Sequence, residues 1–274
     1  MTVGELKGGP VYKVLEKIPD RALLAITALI YAFLYAPILV LVFFSFNSSR
    51  STQVWTGFST EWYGALLSDQ TVLEAFRTSM VVGVTSTVIS TAIGTVTALA
   101  LARYRFRGKS FTDSVVYANT VMPEIVVGVS LLVFFVALGF QLGIMTIIIA
   151  HVAFNISFVT IVVRARLAGM DRSVEEAAQD LGANPVETFL RVTLPLILPG
   201  VMAGALLAFT LSFDDFVITF FVAGVGSSTL PLKIYSMIKF GVSPVINALS
   251  TVMLVVTMFL IFGGSRFFVR KENA

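Results

Sequence analysis

Three carboxylates, Glu124, Asp214 and Asp215, stand inside otherwise apolar stretches of this 274-residue chain. A carboxylate at membrane depth costs at least about 2.5–3.5 kcal/mol on insertion scales, so each is expected to face a cavity, a partner or water rather than lipid. Fixed negative charge offsets the hydration a cation gives up in a low-dielectric passage, and a cation path is the chemistry these residues could perform. The alternative role for Asp214 and Asp215 is structural, as a pair hydrogen-bonding neighbouring helices or lying at a wet outer mouth. Adjacent residues on a helix differ by about 100°, so one of the two can line a path while the other braces it. Glu124 follows Pro123, whose missing N–H opens the helix at that point. His151 and Asn155 lie one helical turn apart and are expected to make interhelical hydrogen bonds rather than to bind a ligand.

Other chemistries are excluded. The chain has no cysteine and one histidine, which removes disulfides, thiolate nucleophiles and Cys/His metal sites. Gly108-Lys109-Ser110 looks like the end of a phosphate-binding loop, but the position five before Gly108 is Arg103, and an apolar run rather than a strand precedes it. No nucleotide or cofactor site is expected in this chain. A net charge of +3 does not point to nucleic acid.

The elements that must position these residues are membrane helices. The chain is 57% hydrophobic and 13% charged with a mean hydropathy of +0.91, against about 45–50% apolar and about 25% charged in soluble domains. Apolar runs long enough to span about 30 Å fall at 22–46, 78–102, 114–139, 141–163, 198–223 and 244–264. Val126 to Leu138 lacks the alternation of a barrel strand. The expectation is an all-α, six-span protein, with a retained first helix too long for a signal peptide. On this reading Asp214 and Asp215 lie about 24 Å along the fifth helix from Leu198, and Glu124 about 15 Å into the third.

Alternate connections differ in charge. Segments 1–21, 103–113, 164–197 and 265–274 hold 15 Lys and Arg; the remaining connections hold 4. The basic side is cytoplasmic by the positive-inside rule, giving a cytoplasmic N-terminal segment 1–21, a membrane domain 22–264 and a cytoplasmic tail 265–274. Arg103, Arg105, Arg107 and Lys109 are expected to anchor this topology by touching phosphates of membrane lipid. In the outer segment 47–77, Trp55, Trp62 and Tyr63 are expected as aromatic interface anchors, and Gly200 with Gly204 as a close helix-packing pair.

The cytoplasmic segment 164–197 carries a compact capped element. Ser173 with Glu176 predicts a capping box, Gly182 a left-handed helix end, and Asn184 with Pro185 the start of a second short helix before Pro195 and Pro199. Here Glu176-Ala177-Ala178, Gly182, Val192 and Leu194-Pro195 resemble, in type and spacing, the EAA loop of permease subunits of binding-protein-dependent ABC importers; Val192 stands where that family usually has isoleucine. The segments 104–110, 211–218, 229–237 and 241–250 look like the second permease of spermidine/putrescine importers. Importers of other organic cations and of ferric iron share parts of these motifs.

The resemblance implies a type I ABC importer permease fold in the bacterial inner membrane. It implies a coupling loop of Glu176, Ala177, Ala178, Gly182, Leu194 and Pro195 docking on an ATPase; the substrate path through Glu124, Asp214 and Asp215 is expected from their charge at membrane depth. The implied partners are an ATPase subunit dimer that binds ATP and Mg, a homologous second permease and a soluble substrate-binding protein; this chain itself would not be an enzyme. An ion-coupled secondary transporter would account for the carboxylates but not for the loop.

Overall fold

The computed structural model describes residues 19–50, 54–239, 241 and 243–272. The expected N-terminal segment 1–21 therefore lies outside the described residues up to position 18, as do positions 273–274 of the tail. Twelve α-helices are present among the described residues: α1 Asp20–Phe44, α2 Glu61–Ser68, α3 Gln70–Arg103, α4 Lys109–Val121, α5 Glu124–Ala137, α6 Ile144–Ala168, α7 Ser173–Asp180, α8 Pro185–Thr188, α9 Leu194–Asp214, α10 Val217–Val222, α11 Leu230–Ile238 and α12 Pro244–Glu272. A π-helical turn, Phe189–Thr193, joins α8 to α9.

α1, α3, α6 and the continuous α8–α9 segment are each long and apolar enough to cross a membrane. The third expected span is not one helix. α4 and α5 meet at a bend of 114°, because Pro123 holds Met122 in an extended conformation and ends α4 there. The second span begins at Gln70 rather than near 78, since the Asp69 carboxylate accepts the Thr71 N–H (2.9 Å) and caps the helix. The hydrogen bond from the Thr71 hydroxyl holds the Asp69 carboxyl below the usual carboxylate range. The fifth expected run begins at Leu194 and is interrupted after Asp214, where Asp215 is extended (ψ 124°) before α10. α12 runs on to Glu272, so helix continues into the expected tail.

The centre of the fold is the packing of α3, α6 and α9, with α10 against α5 beside it. Small residues let these backbones approach. A Cβ on Gly94 would lie 2.7 Å from Val159 Cβ, one on Gly200 would lie 2.6 Å from Arg166 Cβ, and one on Gly204 would lie 3.3 Å from Val159 Cγ1. The expected Gly200/Gly204 pair thus seats α9 on α6 within the chain. Ala98, Val159, Val163, Leu167, Ile197 and Ala208 form one buried layer there. By contrast, no residue in the apolar window of α1 is buried within the chain.

The aromatic residues between α1 and α3 are tied to the end of α1 and the turn after it. Trp62 is buried and donates Nε1–H to the Asn47 carbonyl (2.6 Å), and the Tyr63 hydroxyl meets Ser45 Oγ at 2.7 Å. Trp55 stacks on Phe43 with centroids 4.3 Å apart. The expectation of an interface anchor is corrected for Trp62: its ring is buried within the chain, and its N–H closes the turn that follows α1, at an Asn47–Phe58 bridge.

Candidate functional site

The loop between α6 and α9 is built from helix-end chemistry. α7 is not started by a Ser173–Glu176 capping box; the Asp171 carboxylate accepts the Ser173 N–H instead (3.0 Å), and that bond holds the Asp171 carboxyl below its ordinary range. Asp171 lies two residues nearer the turn, where an Asx-type cap reaches the first free amide. At the other end Gly182 adopts φ +90°; its N–H bonds Gln179 O and the Ala183 N–H bonds Ala178 O, a complete Schellman motif. Asn184 and Glu187 form a reciprocal capping box with Pro185 in the first turn of α8.

The Leu194 N–H reaches Phe189 O, five residues back, in the wide turn that precedes Pro195. The resulting loop presents Glu176, Ala177 and Gly182 to solvent, with Ala178 and Leu194 half-buried and Pro195 exposed. Leu181 beside them is 90% exposed and Val186 65%, an apolar surface left uncovered by the described residues.

Glu175 turns the other way. Its Oε2 lies 3.1 Å from Arg103 Nε at the end of α3, and its Oε1 accepts the Thr193 hydroxyl at 2.9 Å. Arg103 therefore meets a carboxylate rather than serving only as a lipid-facing anchor. Sequence reasoning singled out neither Glu175 nor Thr193; the doubled acid Glu175-Glu176 was the available signal.

A second polar assembly lies where the fifth run breaks. Asp215 accepts the backbone N–H of Ile218 (3.2 Å) and of Thr219 (2.8 Å), the Thr219 hydroxyl (2.7 Å) and the His151 ring at Nε2 (3.1 Å). His151 Nδ1 meets Ser212 Oγ at 2.6 Å, and Ser212 meets Ser86 Oγ at 2.9 Å. Asp215 Oδ2 is the acceptor for its other partners, so the His151 ring donates to it from Nε2, and Nδ1 pairs with the Ser212 hydroxyl. Together the bonds join α3, α6, α9 and α10. Asn155 adds a bond from Nδ2 to Ala208 O (3.3 Å), so both interhelical roles expected for His151 and Asn155 are present.

Asp214, the last residue of α9, is exposed, as is Glu124 in the first turn of α5, where the helix N-terminus favours an acid. The structure thus separates the two aspartates: Asp215 is held and Asp214 is presented. Sequence reasoning missed the full reach of His151, whose partners come from residues 61 to 68 positions away. No group of three or more His, Cys, Asp or Glu able to hold a metal occurs among the described residues.

Residues 90–271 match the family of binding-protein-dependent transport system inner membrane components. The chain belongs to this family. It is 46% identical over 232 residues to the spermidine/putrescine transport system permease protein PotC of Escherichia coli (strain K12), covering 85% of this chain and 88% of that protein. It is also 46% identical over 231 residues to the putrescine transport system permease protein PotI of the same organism, with 82% of each covered. Among solved structures, a bacterial ABC transporter involved in import of the acidic polysaccharide alginate aligns with a TM-score of 0.74 at 16% identity, covering 96% of this chain and 99% of that one. The MetNI methionine ABC transporter aligns with a TM-score of 0.62 at 19% identity, covering 78% and 99%. The fold of this permease is that of ABC transporter membrane subunits.

Proposed function

We propose that this permease is one transmembrane subunit of an ATP-driven importer that carries a polyamine of the spermidine/putrescine class into the cytoplasm by alternating access. The observation that carries the substrate class is the 46% identity, over most of the chain, to permeases named for spermidine and putrescine transport. A homologous second permease, an ATPase dimer holding ATP and Mg, and a soluble binding protein complete the assembly. Both termini are cytoplasmic, in keeping with the division of 15 basic residues against 4. The loop bearing Glu176, Ala177, Ala178, Gly182, Leu194 and Pro195 docks on the ATPase, a role supported by the exposed Leu181 and Val186 beside it.

Asp214 and Glu124 supply negative charge along the substrate path, and Asp215 holds the break that presents Asp214. Carboxylates on separate elements suit a cation bound modestly at each, so that release stays fast.

The test is uptake of labelled spermidine and putrescine into proteoliposomes carrying the whole complex. Transport should require ATP and the binding protein and should persist when the proton gradient is collapsed. Uptake by this chain alone on an ion gradient would overturn the proposal in favour of a secondary transporter.

A further inference from the structure

Arg103 ends α3, Glu175 lies in the first turn of α7, and Thr193 closes the π-turn that leads into α9. Glu175 engages both of the others, one carboxylate oxygen each. The contact is reciprocal: Arg172, at the start of α7, donates from Nη2 to the Arg103 carbonyl at 3.2 Å. That carbonyl is one of the last in α3, where no later turn of the helix supplies a donor. The side chains of Arg103 and Glu175 are only 14% and 15% exposed, which removes much of the screening that makes surface pairs weak.

Around these groups the loop and the end of α3 are separated by a cavity of about 560 Å³, lined in part by Leu99, Tyr104, Gln179 and Phe189. The loop is thus joined to the second and fifth spans at this point by polar links around a space. A push on α7 reaches the end of α3 through Glu175 and Arg172, and reaches the start of α9 through Glu175, while the cavity leaves the loop room to move. The π-turn adds to this, since one extra residue per turn shifts the face that α9 presents relative to α8 by about 100°.

We propose that Glu175 is a positioning residue that couples the loop to α3 and α9 together, and that Arg103 and Thr193 are its two receivers. The proposal rests on the reading of this chain as part of an ATP-driven importer. The adjacent acids then have different roles, with Glu176 facing outward to a partner and Glu175 passing the resulting movement to the spans.

The deciding measurement is the number of labelled putrescine molecules imported per ATP hydrolysed, in proteoliposomes carrying the complete complex with its binding protein. Glu175→Gln and Arg103→Gln should each lower that ratio at least about five-fold, the lower end of measured couplings between sites. The exchanged pair Arg103→Glu with Glu175→Arg should recover part of it; recovery is incomplete because the swapped charges oppose both helix dipoles. Thr193→Val should lower the ratio by at least about two-fold, through loss of the hydroxyl's bond to the Glu175 carboxylate. An unchanged ratio in Glu175→Gln overturns the proposal, including the case in which thermal stability drops, because the clamp is then only structural. If Glu175→Gln does not assemble, an unchanged ratio in Thr193→Val overturns it alone. Absence of ATP-driven uptake by the unmodified complex overturns the importer reading itself, a result distinguishable from either.

Discussion

Two pairs of adjacent acids, Glu175-Glu176 on the loop between α6 and α9 and Asp214-Asp215 at the end of α9, resolve in the same way: one member is held by the fold and the other is exposed. They reach that outcome by different means. The loop pair sits on a continuous helix, where a rotation of about 100° per residue turns Glu175 inward and Glu176 outward. At Asp214-Asp215 the helix itself stops, and Asp215 turns away because its backbone is extended.

The partners also differ. Glu175 meets a guanidinium and a hydroxyl from distant segments, whereas Asp215 is satisfied by two amides and a hydroxyl of the next turn, with the His151 ring added. A half-open site can hold a charge pair, but a carboxylate in the interior without a Lys or Arg partner must be satisfied by several donors. In both pairs one acid is held and the other presented, and the held one is the acid on which donors converge.

The largest expected effect tests the outward half of the loop. Gly182→Val places a β-branched residue at φ +90°, although nothing lies within 4 Å of its Cβ, so the penalty is conformational rather than steric. ATP-driven uptake should fall to background while the protein still reaches the membrane. Gly182→Asn, which tolerates the left-handed region, should keep most of it. Equal uptake in the two variants would remove the loop from this comparison.

Next in size is the inner aspartate. Asp215→Ala leaves the Ile218 and Thr219 amides and His151 Nε2 without their acceptor, and an unsatisfied buried donor costs about 1–3 kcal/mol. The thermal unfolding midpoint of the purified protein should drop by at least about 4 °C, against less than about 2 °C for Asp214→Asn. A drop of the same size in both would break the division between held and presented acids.

A smaller change is expected from the presented acids. Asp214→Asn and Glu124→Gln keep shape and remove charge, so polyamine uptake should fall several-fold, about the 1 kcal/mol of a partly solvated ionic contact, with unfolding unchanged. Saturation curves across substrate concentration check this. Unmodified transport in both would make these acids incidental to the path.

The smallest effect concerns the cap of α7. The Ser173 amide lowers the Asp171 pKa, so the cap is fully present above the ordinary carboxylate range and is lost as pH falls through the depressed value. Protection of the Ser173 amide from hydrogen exchange, corrected for intrinsic rate, should decline only at acid pH. In Asp171→Ala it should be absent at every pH.

Composition and apolar run length established a helical membrane protein, because lipid leaves a spanning backbone no partner but itself. Local helix-end chemistry was equally legible: Gly182, Asn184 and Pro185 act through bonds within a few residues of themselves, and the chain around them suffices to specify those bonds. Even so, Asp171 and Ser173 compete as caps within three residues, and the sequence pattern favoured the wrong one. Pro123 announced a break in the third run, but its angle of 114° depends on what α4 and α5 pack against.

Most residues at which the sequence fell short have partners far away along the chain. Nothing near Trp62 says that Asn47 accepts its N–H, and nothing near Glu175 names Arg103. That two adjacent aspartates on a helix point in different directions follows from helical geometry, but α9 ends at Asp214 and Asp215 is extended. Which one braces was decided only when folding brought His151 and Thr219 to Asp215, since a buried carboxylate persists only where enough donors converge on it.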